Sequence, residues 1–283
     1  MTERLVDVEQ RIGSIAELHE IVTAMRLMAA SRVQQAERAI GGMRAYAEIV
    51  GDALARALAL LPEPPERRTP GRRRCRAVLA FCAEHGFAGA FSRHVLEAAR
   101  TAPGDLLFVA GTRGLGLCRE LGRAVAWSTP MATHAGAVTT TARLISEEIY
   151  RRVGAGTLAE VDIVFMRSEG GGRSRVLRET VLPVDPGRPA PSAAAPPLTY
   201  LSPGALVERL VEEYLFALLA HAAMESFMSE NAARVAIMQS ARRGIETRLE
   251  ALHMDERRLR QEEITTEMLD VVTGAEAARS EIG

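Results

Sequence analysis

The first candidates for chemistry are two glycine-rich turns that follow apolar runs. Gly111-Thr-Arg-Gly-Leu-Gly116 comes directly after Leu106 to Ala110, and Gly86-Phe-Ala-Gly89 follows Ala77 to Ala83. Glycines at a strand-to-helix turn let backbone N–H groups close on a phosphate. Neither spacing is that of the dinucleotide fingerprint, and no acidic residue stands about 20 positions on at a second strand end. A tight turn is therefore the reading at Gly111 to Gly116, ahead of nucleotide binding. Cys82 and His85 have metal-like spacing, but Cys75 and Cys118 lack compatible neighbours, and structural zinc takes four ligands. The odd cysteine count fits free thiols in a reducing compartment.

The remaining chemical side chains are weaker candidates. His19, His221 and His253 lie in helical stretches beside charges, as surface or seam histidines do, and no Ser/His/Asp order or His-Glu-x-x-His motif stands out. The segment from Glu66 to Arg76 carries six arginines without an aromatic platform. With a formal net charge of −1, it reads as a solvated linker rather than a nucleic-acid site. Every basic side chain is arginine, which excludes lysine chemistry such as a Schiff base. Glu262, Glu263, Glu267 and Asp270 form an acidic cluster, either a solvated face or a patch for a partner. No catalytic residue, cofactor site or metal site is assigned. What the chain offers is shape.

That shape begins at the N-terminus. Leu5, Val8, Ile12, Ile15, Leu18, Val22, Met25, Ala29, Val33, Ala36, Ile40, Met43, Ala47, Val50 and Leu54 recur at steps of three and four. A mean step near 3.5 residues is a heptad seam, which demands a partner helix. No proline interrupts it before Pro62. About 55 residues of helix would reach roughly 80 Å. The first residues are charged and heptad-patterned, unlike a signal peptide.

The pattern then changes period. Ala77 to Ala83, Leu106 to Ala110, Val161 to Met166 and Val176 to Leu182 read as strands, the last after a turn at Gly170-Gly171-Gly172. Phe91 to Arg100 and Ala137 to Val153 read as helices between them. Alternating strands and helices predict a mostly parallel sheet. Pro183 to Pro203 reads as an extended connector. Ser202-Pro203 starts a second long helix, whose face runs through Leu206, Leu210, Tyr214, Leu218, Ala222, Phe227, Val235, Met238, Ile245, Leu249, Leu252, Leu259, Ile264, Met268 and Val272. The longest apolar run, Tyr214 to Met224, is far short of a membrane span.

The predicted fold is α/β: an antiparallel coiled coil of long N- and C-terminal helices with an inserted Rossmann-like domain. The expected divisions are an N-terminal helix over 1–60, an α/β domain over 75–185, a linker over 186–203 and a C-terminal helix over 204–283. Small residues (Ala29, Ala36, Ala47; Ala222, Ala232, Ala233, Ala236) would let the helices approach closely.

Both ends resemble the gamma subunit of F-type ATP synthases. Ile12-Gly-Ser-Ile15, Ile21-Val-Thr-Ala-Met25 and Ala29-Ala-Ser-Arg32 resemble that family's first helix. Leu198-Thr-Tyr-Leu-Ser-Pro203 resembles the entry to its last helix, and Ser229-Glu-Asn-Ala-Ala-Arg-Val-Ala-Ile-Met238 its penultimate block. Arg260-Gln261, Ile264-Thr265, Glu267 and Val272-Thr-Gly-Ala275 resemble its closing signature. The resemblance implies a non-catalytic rotor subunit coupling proton or sodium flow to ATP synthesis or hydrolysis. Its implied partners are the alpha and beta subunits of a hexameric ring, the epsilon subunit and the membrane c-ring. Its implied place is peripheral, at the cytoplasmic face of a bacterial inner membrane. By position, Met25, Arg26, Arg234, Arg260, Gln261, Thr265 and Glu267 would contact the ring.

Three stretches depart from that family's pattern. Gly86-Phe-Ala-Gly-Ala-Phe91 replaces Gly-Leu-Cys-Gly-Gly-Leu, Arg242-Arg243 replaces an Asp-Asn pair, and the tail beyond Gly274 is charged (Glu276, Arg279, Glu281). They suit a divergent form such as the alternative sodium-linked F-type ATPase. The competing readings are a self-associating coiled-coil scaffold and a nucleotide-dependent α/β enzyme centred on Gly111 to Gly116.

Overall fold

A computed structural model describes residues 2–61, 75–170, 173–185 and 199–280. In chain order the elements are α1 (Thr2–Leu58), β1 (Arg76–Phe81), α2 (Phe91–Ala98), β2 (Leu106–Ala110), α3 (Thr112–Glu120), β3 (Trp127–Thr129), α4 (Val138–Gly154), β4 (Glu160–Gly170), β5 (Arg173–Leu182) and α5 (Pro203–Ser280). Most of the arginine run (62–74), two of the turn glycines (171 and 172), most of the connector (186–198) and the charged side chains of the tail lie outside the described residues. The chain divides into two compact units, Met1–Met28 with Val235–Gly283, and Ala29–Arg234.

In the larger unit the five strands form one sheet in the order β3-β2-β1-β4-β5. β1 pairs in parallel with β2 and β4, and β2 with β3, while β4 and β5 form an antiparallel hairpin. Both faces of the central strands are covered, so β1 reads as a continuous apolar run rather than an alternating one. On one face Val78, Ala80, Val109 and Val164 pack against Phe91, Val95 and Leu96 of α2 and Cys118 of α3. On the other, Leu79, Phe81, Phe108, Ile163 and Phe165 pack against Ile145 and Ile149 of α4. The same cluster takes in Ala36 of α1 and Leu215, Leu219, Ala222 and Phe227 of α5. The long helices are thus part of the core of the α/β domain, not only its boundary.

Within this unit α1 and α5 run antiparallel: Arg44 meets Glu225, and further along α1 Tyr46 meets the earlier α5 residue Glu213. Buried Ala36, Ala47, Val50 and Leu54 are seam positions. In the smaller unit the pairing is also antiparallel, with Glu9 against Arg260 and His19 against Glu246. Val22, Met238 and Leu252 are its buried seam residues.

The structure corrects the seam at several places. Leu18 is 48% exposed, and the half-buried neighbour His19 turns inward in its stead. Ile264, Met268 and Val272 of α5 are exposed, and Ala236 faces solvent. Two elements are additions to the sequence reading. β3 is only three residues and contains Ser128 and Thr129, too short and too polar to show a period. α3 begins where a tight turn is expected, because Gly111 takes a left-handed conformation (φ 113°) that ends β2 and starts the helix at once.

α3 lies against Cys82, the residue that follows β1, through Gly114, where an added Cβ would come within 2.3 Å of the Cys82 Cβ. Gly114→Ala should therefore destabilise the protein by about 1–3 kcal/mol through overpacking. Gly116→Ala, two residues on in the same helix, meets nothing within 4 Å and should be neutral or stabilising by up to about 1 kcal/mol. Thermal unfolding of the two variants checks the contrast.

Candidate functional site

In a sheet with this strand order the sequence of connections reverses between the parallel strands β1 and β4, and ligands of such folds sit beyond the carboxyl ends of those strands. Here α5 fills that place. Ser226 Oγ donates to the Phe81 carbonyl at 3.0 Å, and Ser229 Oγ donates to the Met166 carbonyl at 3.0 Å. The hydroxyls thus satisfy carbonyls at the end of β1 and along β4 that a packed helix would otherwise strip of water. One turn on, Arg234 forms an ion pair with Glu230 at 2.6 Å. Its guanidinium also donates to the Gly86 and His85 carbonyls at 3.1 and 3.3 Å and to Asn231 Oδ1 at 2.9 Å.

The start of α3 is also occupied. Glu84 accepts from the Thr112 amide at 3.0 Å, from its hydroxyl at 2.7 Å and from the Met131 amide at 2.7 Å. A carboxylate thus stands at the helix N-terminus, where the phosphate of a nucleotide would lie. Gly111 leaves no spare room either, since an added Cβ would sit 2.4 Å from the Cys82 carbonyl oxygen. Cys82 is buried, and desolvation pushes its thiol far above the ordinary range. His85 is exposed rather than turned toward it. Among the described residues no group of His, Cys, Asp and Glu side chains could hold a metal ion.

The other histidines are accounted for by neighbours. His221 lies 3.6 Å from Glu225, and burial, followed by the charges of Arg167 and Arg44, lowers its pKa to about 4. Burial raises the pKa of Glu225, against the opposing pull of Arg167 at 3.1 Å. His253 meets Glu256 on the helix surface at 3.1 Å.

The sequence-predicted contact residues fall into two groups. Arg234 is 4% exposed and fully engaged as described, so it is a structural residue and offers no free group to a partner. Its conspicuous charge in a polar-looking block conceals that it faces the sheet. The others lie in the smaller unit. Arg260 is exposed and bridges Glu9 at 3.0 Å and Glu256 at 2.9 Å. Gln261, Thr265 and Glu267 are exposed, and the Thr265 hydroxyl donates back to the Gln261 carbonyl at 2.8 Å. Between and beyond them Ile264, Met268, Leu269, Val271 and Val272 form an apolar stripe, with Val271 72% exposed. On α1, Met25 and Arg26 are half-buried, and the Arg26 Nε is buried without a hydrogen-bond partner. Leu18, Ile21, Leu27 and Met28 stand exposed around them. Runs of exposed apolar side chains interleaved with polar ones mark a protein interface.

The model of the ATP synthase family matches residues 4–278. The ATP synthase gamma chain of Granulibacter bethesdensis is 27% identical, the match covering 94% of this chain and 97% of the relative. That of Anaeromyxobacter sp. (strain Fw109-5) is 28% identical, covering 97% and 99%. Among solved structures, a chain of the Euglena gracilis mitochondrial ATP synthase in rotational state 3 superposes with a TM-score of 0.67 at 13% identity, covering 99% of this chain and 96% of its own. A chain of the Tetrahymena thermophila central stalk and c-ring gives a TM-score of 0.59 at 16% identity, covering 78% and 99%.

Removing Arg234 tests the docking of α5. Burial already holds the Glu230 carboxyl above its ordinary value of 4.5, and Arg234 opposes that shift. Arg234→Ala strands the carboxylate and should cost about 3–5 kcal/mol near neutral pH. A raised carboxyl pKa means that the folded state holds the proton more tightly than the unfolded state. Stability is then lost as pH climbs from 4.5 through the raised value. The deficit of Arg234→Ala should therefore shrink as pH falls toward 4.5, and adding Glu230→Gln should flatten the profile. Thermal unfolding across pH reads both, and a deficit independent of pH would remove the role given to Glu230.

Proposed function

The chain belongs to the ATP synthase family, as a gamma subunit of the F-type enzyme in its central rotor stalk, and we propose that it acts there through contact alone. It contributes no catalytic group; the paired helices of the smaller unit are the part that the alpha and beta ring grips. The sheet-bearing unit is the part that meets the epsilon subunit and the membrane c-ring. Among the described residues no helix is long and apolar enough to cross a membrane. Association with the membrane, at the cytoplasmic face in a bacterium, would thus run through the c-ring.

The observation that carries this reading is the uncovered end of α5, where an exposed apolar stripe runs beside Arg260, Gln261, Thr265 and Glu267. A pair of helices has no three-fold symmetry, so at any angle it touches each beta subunit differently. Each beta site then experiences a different bias between its open and closed states, which is coupling by differential contact. Rotation driven by protons or sodium ions carries that bias around the ring, and ATP hydrolysis runs the same coupling in reverse. The apolar stripe bears on the ring without fixing an angle, because dispersion and burial are not directional. The polar groups supply the angular preference. Charged hydrogen bonds contribute roughly 1.5–3 kcal/mol each, enough for a few to define a dwell without stopping rotation. Arg26, with its unpartnered Nε, is the α1 counterpart, beside Met25.

The test is ATP-driven ion pumping and single-molecule rotation by the assembled enzyme carrying Arg260→Ala with Gln261→Ala. Dwells should shorten and pumping per ATP should fall, by up to about tenfold for each 1.4 kcal/mol of lost contact. Coupling equal to that of the parent enzyme would remove these two residues from the mechanism. Loss of co-purifying alpha and beta subunits from the unmodified chain would remove the reading itself.

A further inference from the structure

The larger unit holds a cavity that the rotor reading does not use. Its volume is about 190 Å3, and it lies between the 83–90 loop, the first turn of α2 and one side of α3. Arg93 of α2 and Arg113 of α3 both line it. Neither guanidinium has a hydrogen bond or an ion pair among the described residues. Glu120, two turns on from Arg113, is the one carboxylate among the lining residues, so the wall keeps a positive excess.

The walls are held from behind. Arg234 donates to the His85 and Gly86 carbonyls. The Ala83 amide donates to Ser92 Oγ at 3.1 Å, and the Arg113 amide donates to the Ala83 carbonyl at 3.1 Å. The loop is thus pinned to α5, α2 and α3, and the cavity between them is preformed. Within the loop Phe87 takes φ 62°, a conformation that a bulky side chain rarely adopts, and it stands 64% exposed. Strain of this kind persists only where the surroundings fix the backbone, and it gathers at binding sites. The same loop is one of the stretches that depart from the gamma-family pattern.

Two guanidiniums that face one space repel each other unless an anion lies between them. Their planar N–H forks match the oxygens of a phosphate group. His85 adds a ring nitrogen to the lining, and Phe87 and Leu117 add apolar wall. The volume suits a small ion and is too small for a nucleotide. We propose that this cavity is a binding site for a small phosphate-type oxyanion, held between Arg93 and Arg113. The bound anion ties α2 to α3 and neutralises two charges that the chain itself leaves without partners. Glu120 limits the negative charge that the site accepts. The site is separate from the start of α3, which Glu84 already occupies. The proposal stands on the larger unit and is independent of the rotor reading.

The test is titration of inorganic phosphate into the full chain, read by equilibrium dialysis and by thermal unfolding, with ionic strength held constant by sodium chloride. One phosphate per chain should bind, and the melting temperature should rise and then level off as the site fills. Arg93→Gln with Arg113→Gln should weaken binding by about tenfold or more for each guanidinium removed. Dialysis is run at a temperature where parent and variant are both folded. Arg143→Gln, an exposed position on α4, should bind phosphate as the parent does. Acetate at the same concentration should not compete. Equal phosphate binding by the parent and the double variant would overturn the site. So would a stabilisation that never saturates and is shared by all three proteins, since that is a general salt effect. Equal competition by acetate would overturn the assignment to phosphate.

Discussion

A helix laid across the carboxyl ends of parallel strands covers carbonyls that water would otherwise solvate. Each must find a partner or cost free energy of the order of a lost hydrogen bond. The contact of α5 with β1 and β4 meets that demand with Ser226, Ser229 and the Glu230–Arg234 pair. Taking two charges out of water is expensive, and their mutual attraction alone seldom offsets it. Here Arg234 donates to Glu230, Asn231 and two loop carbonyls, so the desolvated guanidinium is broadly satisfied. The result is an attachment whose geometry is narrowly specified. A hydrophobic contact of equal area would hold α5 as strongly but permit it to slide. For a subunit that passes torque between a sheet-bearing unit and a helix, resistance to sliding matters more than raw affinity.

The same contact occupies the place where folds of this topology usually hold a nucleotide. The crevice at the strand reversal is filled by serine hydroxyls and an ion pair, and the start of α3 holds the Glu84 carboxylate. An incoming phosphate would meet a fixed negative charge at the helix N-terminus that would otherwise attract it. The Thr112 and Met131 amides that would receive it are already donating to Glu84. Glu84 is a built-in anion: it supplies the compensation that a ligand supplies in other folds of this topology, and it does so permanently.

The long helices were legible because their periodicity extends far beyond what chance allows. Of the α1 seam positions named from spacing alone, Val22, Ala29, Ala36, Ala47, Val50 and Leu54 are buried, and most of the rest are half-buried. β2 was legible to the residue, since a short apolar run bounded by polar side chains fits little but a buried strand. β3 was not, because three residues carry no period, and its place depends on pairing with β2, a tertiary event. α3 was hidden because glycine lowers helix propensity, while the reason for Gly114 lies in another element, the approach of Cys82. The burial of Arg234 was hidden for a related cause. Charge in a sequence argues for solvent, and only the fold reveals that its partners are backbone carbonyls. His19 shows the limit of a strict heptad count: a local shift of phase put a histidine where leucine was expected.

The end of α5 poses the sharpest physical question. From Ile264 to Val272 it presents large, exposed apolar groups. A lone helical segment of this length is marginal in water. What supports it locally is modest: the Arg258–Glu262 pair at 3.2 Å, and threonine hydroxyls at 265, 266 and 273 that bond back to carbonyls four residues earlier. Exposed pairs of this kind contribute a few tenths of a kcal/mol, and threonine back-bonds if anything weaken a helix. Neither offsets the cost of leaving five aliphatic or methionine side chains wet. Most of the stability of such a segment has to come from packing on its apolar face. Under the proposed function its order and its contacts become one property, gained together as the ring closes on it.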